Sequence, residues 1–204
     1  NIDDVVEIVH EETNEDMMLL TGAESNDVYR SVFSIFKSRS IWLVTNLFAT
    51  IVAASVVGEF QDIIAQLSIL AVLMPIVASM GGTTGQQTLA VVVRSLATKE
   101  LNSRNALRMI GKEFMVGLCN GLLFAVMIGI AVRIWFPGQE MISYIIALAM
   151  LCNLTVASLA GILIPLTINR LKIDPAIASG VFLIACTDSG GYFIFLGLAK
   201  LLLF

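Results

Sequence analysis

Long apolar runs separated by short polar connections dominate the chain from residue 41 onwards. Each run is near or above the ~20 residues that an α-helix needs to cross the hydrocarbon core of a bilayer. Turn and helix-start residues, such as Pro137-Gly138 and Asp174-Pro175, lie between the runs. The pattern therefore predicts five membrane-spanning helices, over residues 41–57, 63–97, 106–135, 141–168 and 176–204.

The second run contains residues that weaken a helix. Pro75 removes the hydrogen bond to the carbonyl group of Ala71, and three glycines follow at positions 81, 82 and 85. We expect a break in the helix there, because irregular backbone at membrane depth is tolerated where it is buried in protein or faces a watery cavity. A close-packed crossing of small residues is a second interpretation, compatible with the first. The same segment carries polar side chains, Thr83, Thr84, Gln86 and Gln87.

Composition supports a membrane protein. Hydrophobic residues make up 57% of the 204 residues and charged residues 14%, with a mean hydropathy of +0.89, whereas soluble domains carry about 25% charged residues. No sizeable basic surface is available to hold phosphates, which excludes nucleic acid as a partner. Three scattered cysteines and the single His10 provide neither a disulfide framework nor a zinc site.

The basic residues indicate the orientation in the membrane. Ten of the 12 Lys and Arg residues fall in connections on one side of the five spans and two, Arg133 and Lys200, on the other. Because basic residues accumulate in cytoplasmic connections, we expect a cytoplasmic N-terminus and an external C-terminus in the plasma membrane. We expect residues 1–36 to form an acidic helix and a polar connector, and residues 37–204 to form the membrane domain. The chain begins without Met, and we expect a fragment of a longer protein.

Asp188 is the one acid deep inside an apolar run, whereas Glu59, Asp62, Glu113 and Glu140 lie at the ends of runs. Acids at this depth are costly and most often functional. A structural carboxylate bonded to a neighbouring helix is the alternative. The smaller polar residues in the third and fourth runs, together with the pair Gly117 and Gly121, are typical of helix packing; these polar residues are Asn120, Asn153, Thr155 and Ser158.

A carboxylate with hydroxyl, amide and carbonyl groups is an all-oxygen set, which favours hard cations such as Mg²⁺, Ca²⁺ or Mn²⁺. One carboxylate cannot balance a divalent ion, but two chains on a two-fold axis supply two. Because Mg²⁺ releases its waters reluctantly, a pore for it would hold the ion largely hydrated.

The segments "MPIVASMGGTTGQQTLAVVVRSLA" and "GILIPLTINRLKIDPAIASGVFLIACTDSGGYFIFLGLAKLLL" resemble the MgtE magnesium channels. The resemblance covers the whole chain, and "VVEIVHEETNED" is similar to the end of the cytoplasmic CBS module of that family and its connecting helix. It implies an all-α homodimer with five spans per subunit, a Mg²⁺ pore on the two-fold axis, and cytoplasmic regulatory domains that this chain lacks. Mg²⁺ is then both the transported ion and a ligand.

The resemblance also implies site residues. The pore aspartate of the family falls on Asp188, and its GGN-x-G-x-Q signature falls on residues 81–87. Regulatory acids correspond to Glu12, Glu15 and Asp16. The chain departs from the family at Thr83, at Gly180-Val181 and at Ile184, which leaves the ion preference among Mg²⁺, Mn²⁺, Co²⁺ and Ca²⁺ open. The implied pore-lining residues are Gly81, Gly82, Thr83, Gly85, Gln87, Ser179, Gly180, Ile184 and Asp188.

The function we expect is a Mg²⁺-selective channel that carries divalent cations into the cytoplasm and recognises the hydrated ion through paired Asp188 carboxylates. A cation-coupled exchanger of the same fold is the alternative, although no second titratable group is found near Asp188. An enzyme is not expected. Asp188-Ser189-Gly190 matches the Asp-Ser/Thr-Gly motif of aspartic proteases, but that motif belongs to a β-rich fold, whereas here it lies in a helical run.

Overall fold

A computed structural model describes residues 15, 18–20, 23, 29–101 and 105–203. Within these residues the secondary structure is helical, with no strand. Five helices are long and apolar enough to cross a membrane, which confirms the predicted spans. The helices of residues 29–203 are α1 (Val32–Gly58), α2 (Gln61–Gln66), α3 (Ile69–Ala97), α4 (Ala106–Trp135), α5 (Glu140–Arg170) and α6 (Pro175–Leu203).

Helix α1 begins well before the apolar run that predicted it. Ser31 precedes the helix, and its side chain accepts a hydrogen bond from the backbone N–H of Ser34. The next turns contain Lys37 and Arg39, which a helix tolerates readily although a hydrocarbon core does not. The helix therefore runs across the predicted domain boundary at residue 36.

The predicted break at the glycines of the second span is wrong. Helix α3 runs without interruption through Pro75 and through Gly81, Gly82 and Gly85. The chain breaks earlier, at Leu67 and Ser68, between α2 and α3. A proline removes only one backbone hydrogen bond, and glycines remain helical where a neighbouring helix packs against them.

Helix α5 lies at the centre of the helix bundle and packs against α3, α4 and α6, whereas α1 packs against α6. The main core combines α3, α5 and α6, with fully buried residues such as Leu73, Ile145 and Phe195. The predicted start of α6 is confirmed, because Oδ1 of Asp174 accepts a hydrogen bond of 2.8 Å from the backbone N–H of Ala176.

The pair Gly117 and Gly121 confirms the predicted packing role. A Cβ at Gly117 would lie 2.8 Å from Oγ of Ser158, and a Cβ at Gly121 would lie 2.9 Å from the carbonyl oxygen of Leu151. Both contacts are tighter than real Cβ atoms make, so α4 and α5 approach this closely because the two residues lack side chains.

Candidate functional site

Asp188 lies near the midpoint of α6, thirteen residues after Pro175 in a helix of 29 residues. At ~1.5 Å per residue this is ~20 Å from the start of the helix. Glu113 in α4 and Arg39 in α1 are closer to helix ends, each seven residues after the first residue of its helix. Among the residues that the structure describes, Asp188 is therefore the deepest charged group in the spans.

The face of α6 that carries Asp188 is only partly covered by the rest of the chain. Ile184, Asp188 and Tyr192 follow one another at intervals of four residues, and each is half-buried. The residues that α6 packs against α3 and α5, such as Leu183 and Thr187, are fully buried. Asp188 thus lies at the edge of the helix bundle rather than inside its apolar core.

Two close approaches fix the position of α3 relative to α6. A Cβ at Gly85 would lie 3.0 Å from Cδ1 of Leu183. Gly81 and Gly191 lie on either side of the Asn153 side chain. Because residue numbers rise along α3 as they fall along α6, the two helices are antiparallel at this contact. Asp188, between positions 183 and 191, is therefore level with residues 81–85 of α3.

The nine residues that the resemblance implies as pore-lining occupy different environments in the folded chain. Thr83 and Gln87 are exposed, and Gly82, Ile184 and Asp188 are half-buried. Thr83 donates its hydroxyl to the carbonyl oxygen of Ser79 at 2.9 Å and keeps its oxygen lone pairs available. The remaining four are buried within the folded chain, namely Gly81, Gly85, Ser179 and Gly180.

The buried members of this set make packing contacts. Gly81 faces Asn153, and Gly85 faces the carbonyl oxygen of Ala157 as well as Leu183. Gly180 faces the segment that precedes α1, since a Cβ there would lie 2.7 Å from the carbonyl oxygen of Leu20. A lining role for these residues would rest on backbone groups, because none of the three glycines has a side chain to present.

Comparison with known proteins decides the family. Residues 74–198 match the family model of MgtE, described as a divalent cation transporter. The chain belongs to the MgtE family. It is 34% identical over 200 residues to the magnesium transporter MgtE of Enterococcus faecalis, covering 98% of this chain. It is also similar to the MgtE proteins of Bacillus subtilis, at 31% identity over 97% of the chain, and Thermus thermophilus, at 28% over 99%.

The chain spans only 44% of the length of the Enterococcus and Bacillus proteins and 45% of the Thermus protein. Together with the five apolar helices, the match shows a multi-pass membrane protein of a transporter family rather than an enzyme family. The matched range begins in α3 and ends in α6, so it includes residues 81–87 and Asp188.

The regulatory acids implied by the MgtE resemblance are placed only in part. Glu12 and Asp16 lie outside the described residues, whereas Glu15 is helical and exposed. No group of three His, Cys, Asp or Glu residues that could hold a metal ion occurs in the described part of the chain. At mid-span the described residues therefore provide the single carboxylate of Asp188.

Two polar side chains join neighbouring helices of this chain in specific contacts that the sequence did not indicate. Asn153 of α5 lies between α3 and α6, and Glu113 of α4 accepts a hydrogen bond of 2.9 Å from the hydroxyl of Thr88 in α3. The sequence signal was a polar residue within an apolar run for Asn153 and an acid near the start of an apolar run for Glu113. That signal indicates helix contact but does not identify the partner.

Proposed function

We propose that this chain forms the pore of a Mg²⁺-selective channel that carries divalent cations into the cytoplasm. The observation that carries the proposal is the position of Asp188, at mid-span, half-buried and level with residues 81–85 of α3. Membership of a divalent cation transporter family supports it. The relatives are named magnesium transporters, and we extend that ion to this chain.

The pore we propose lies on the two-fold axis of a homodimer. One carboxylate cannot balance the charge of a divalent cation, whereas two subunits related by an axis next to Asp188 supply two. The partly covered face of Ile184, Asp188 and Tyr192 supports this arrangement, since it is a face of α6 that the subunit does not bury by itself. Thr83 and Gln87 would add oxygen atoms to the same passage.

The ion would pass largely hydrated, because Mg²⁺ releases its water shell reluctantly. Carboxylate, hydroxyl and carbonyl oxygens are the groups that accept hydrogen bonds from such a shell. The driving force is the inside-negative membrane potential, about 2.3 kcal/mol per charge for each 100 mV and thus about twice that for a divalent ion. We place the chain in the plasma membrane with its N-terminus in the cytoplasm and its C-terminus outside.

Uptake into proteoliposomes tests the proposal. The purified chain is reconstituted with a Mg²⁺ indicator inside the vesicles, and Asp188→Ala and Asp188→Asn are compared with the parent. We expect both variants to lose Mg²⁺ uptake while eluting from size exclusion as the parent does. Asp174→Asn is the matched control, because it removes a carboxylate from the end of the same helix and keeps an oxygen that can cap it.

Parent-like uptake by Asp188→Ala would refute the role of the carboxylate. Uptake that requires a Na⁺ or H⁺ gradient would replace the channel with an exchanger. For the dimer, Ile184→Cys and Leu123→Cys are compared in a background without the native cysteines, using a short bifunctional thiol reagent. We expect a cross-linked dimer for position 184 and none for Leu123, an exposed position on α4; the reverse pattern would place the axis elsewhere.

A further inference from the structure

Asn153 is a polar side chain buried in the middle of α5. Its exposed fraction is 1%, and Nδ2 donates a hydrogen bond of 2.7 Å to the backbone carbonyl oxygen of Val77 in α3. An amide without partners in an apolar interior is costly, so this bond favours one arrangement of α5 against α3. The neighbours of Asn153 on its own helix, Cys152 and Leu154, donate no comparable side-chain bond to another helix.

Two glycines, one on each neighbouring helix, provide the space for this amide. A Cβ at Gly81 of α3 would lie 2.5 Å from Nδ2 of Asn153. A Cβ at Gly191 of α6 would lie 3.2 Å from Oδ1 of the same side chain. The amide thus occupies space that both glycines leave open, and a larger residue at either position would displace it.

This space lies at the depth of the proposed ion site. Gly191 follows Asp188 by three residues, which is slightly less than one helical turn. Gly81 directly precedes Gly82 and Thr83, the residues of α3 that are level with Asp188. A single side chain of α5 therefore bonds to α3 and contacts α6, the two helices that carry the proposed site, at the level of that site.

We infer that Asn153 is a positioning residue for ion passage. It fixes the position of α6 along the axis of α3, and this position sets the height of the Asp188 carboxylate relative to Gly82 and Thr83. The inference rests on the proposed function. One residue of slip along a helix moves a side chain by ~1.5 Å. Hydrated Mg²⁺ keeps near-ideal octahedral geometry, and a shift of that size changes which oxygens its waters reach.

The decisive variants remove the hydrogen bond from residue 153 to the carbonyl group of Val77. Asn153→Leu has nearly the same shape as the parent and no donor, and Asn153→Ala removes the side chain. Ser158→Ala is the matched control, since Ser158 lies in the same helix, is equally buried at 1%, and faces Gly117 of α4 rather than α6. The full chain is reconstituted, and initial uptake of Mg²⁺ and of Mn²⁺ is measured per folded protein alongside thermal unfolding in detergent.

We expect Asn153→Leu to lower the ratio of Mg²⁺ to Mn²⁺ uptake by about fivefold or more, the size of change typical when coupling between sites is disturbed. Ser158→Ala should keep the parent ratio. A residue with only a structural role would lower the unfolding temperature and leave the ion ratio of the folded protein unchanged, and this result would overturn the inference.

Gly191→Ala provides a second approach if the Asn153 variants do not fold. Its added methyl group displaces Oδ1 by only a few tenths of an ångström, so the protein should fold and show a smaller change of the ion ratio in the same direction. An unchanged ratio would count against the inference. Asp188→Ala in the same assay separates the two proposals, because its parent-like uptake refutes the proposed function whatever Asn153 does.

Discussion

Gly161 of α5 lies directly against the backbone of Gly85 in α3. A Cβ at position 161 would be 2.6 Å from the carbonyl oxygen of Gly85 and 2.8 Å from Cβ of Thr88. Both distances are below those that real Cβ atoms show, and the first involves backbone, which cannot move aside as a side-chain tip can. The crossing of α3 and α5 is therefore set by glycine on both helices.

Gly161→Ala is expected to destabilise the protein by about 1–3 kcal/mol, the usual cost of overpacking a close contact. Thermal unfolding in detergent, followed by intrinsic fluorescence, measures the change. Gly197→Ala is the control, because a Cβ at Gly197 would have no neighbour within 4 Å; it should unfold at or above the parent temperature, since alanine favours helix over glycine. Equal effects of the two substitutions would contradict the packing we describe.

The hydrogen bond from Thr88 to Glu113 joins α3 to α4 at 2.9 Å. Thr88→Val removes the hydroxyl donor and keeps the branched shape. We expect the free energy of unfolding to fall by about 0.6 kcal/mol, the average for hydrogen bonds between membrane helices, and by no more than about 1.7 kcal/mol, their maximum. A double-mutant cycle with Glu113→Gln, again by thermal unfolding, isolates the pair.

Thr88→Ser is the conserving control for that cycle, since it keeps the donor oxygen. It should lose less stability than Thr88→Val. Strictly additive effects of Thr88→Val and Glu113→Gln would show that the two side chains do not interact in the membrane.

The start of α6 depends on Asp174, whose Oδ1 accepts the backbone N–H of Ala176. Asp174→Ala should cost about 0.5–2 kcal/mol, the range for removing a helix N-cap. Hydrogen exchange of the first turn of α6, measured by mass spectrometry, should rise in the alanine variant. Asp174→Ser keeps a capping oxygen and should retain most of the protection; protection that survives in Asp174→Ala would refute the capping role.

The basic residues predict a cytoplasmic N-terminus, and labelling in cells tests this orientation. Single cysteines at Gln139 and Ile173, both exposed, are introduced into a background in which the three native cysteines are alanine. A membrane-impermeant maleimide should label position 139 in intact cells and position 173 only after permeabilisation. The opposite result would place the N-terminus outside.

The five spans could be read from the sequence because the cost of leaving apolar runs in water, or charges in lipid, is local and large. The same holds for the start of α6, where Asp174 and Pro175 suit a helix N-terminus in any surroundings. The depth of Asp188 followed from counting residues along a straight helix, which needs no partner. Family membership, which the comparison confirmed, was likewise carried by short motifs in α3 and α6.

Whether the glycines of α3 break the helix or allow close packing was decided by the tertiary structure. Glycine both weakens a helix and allows another helix to approach, and the sequence does not say which property is used. In the folded subunit Gly81 meets Asn153 and Gly85 meets Gly161, so α3 stays helical throughout. The partners of Asn153 could not be predicted from the sequence either, because the hydrogen bond from residue 153 to residue 77 depends on how three helices pack. The helices themselves could be predicted, because they follow from hydropathy along the chain.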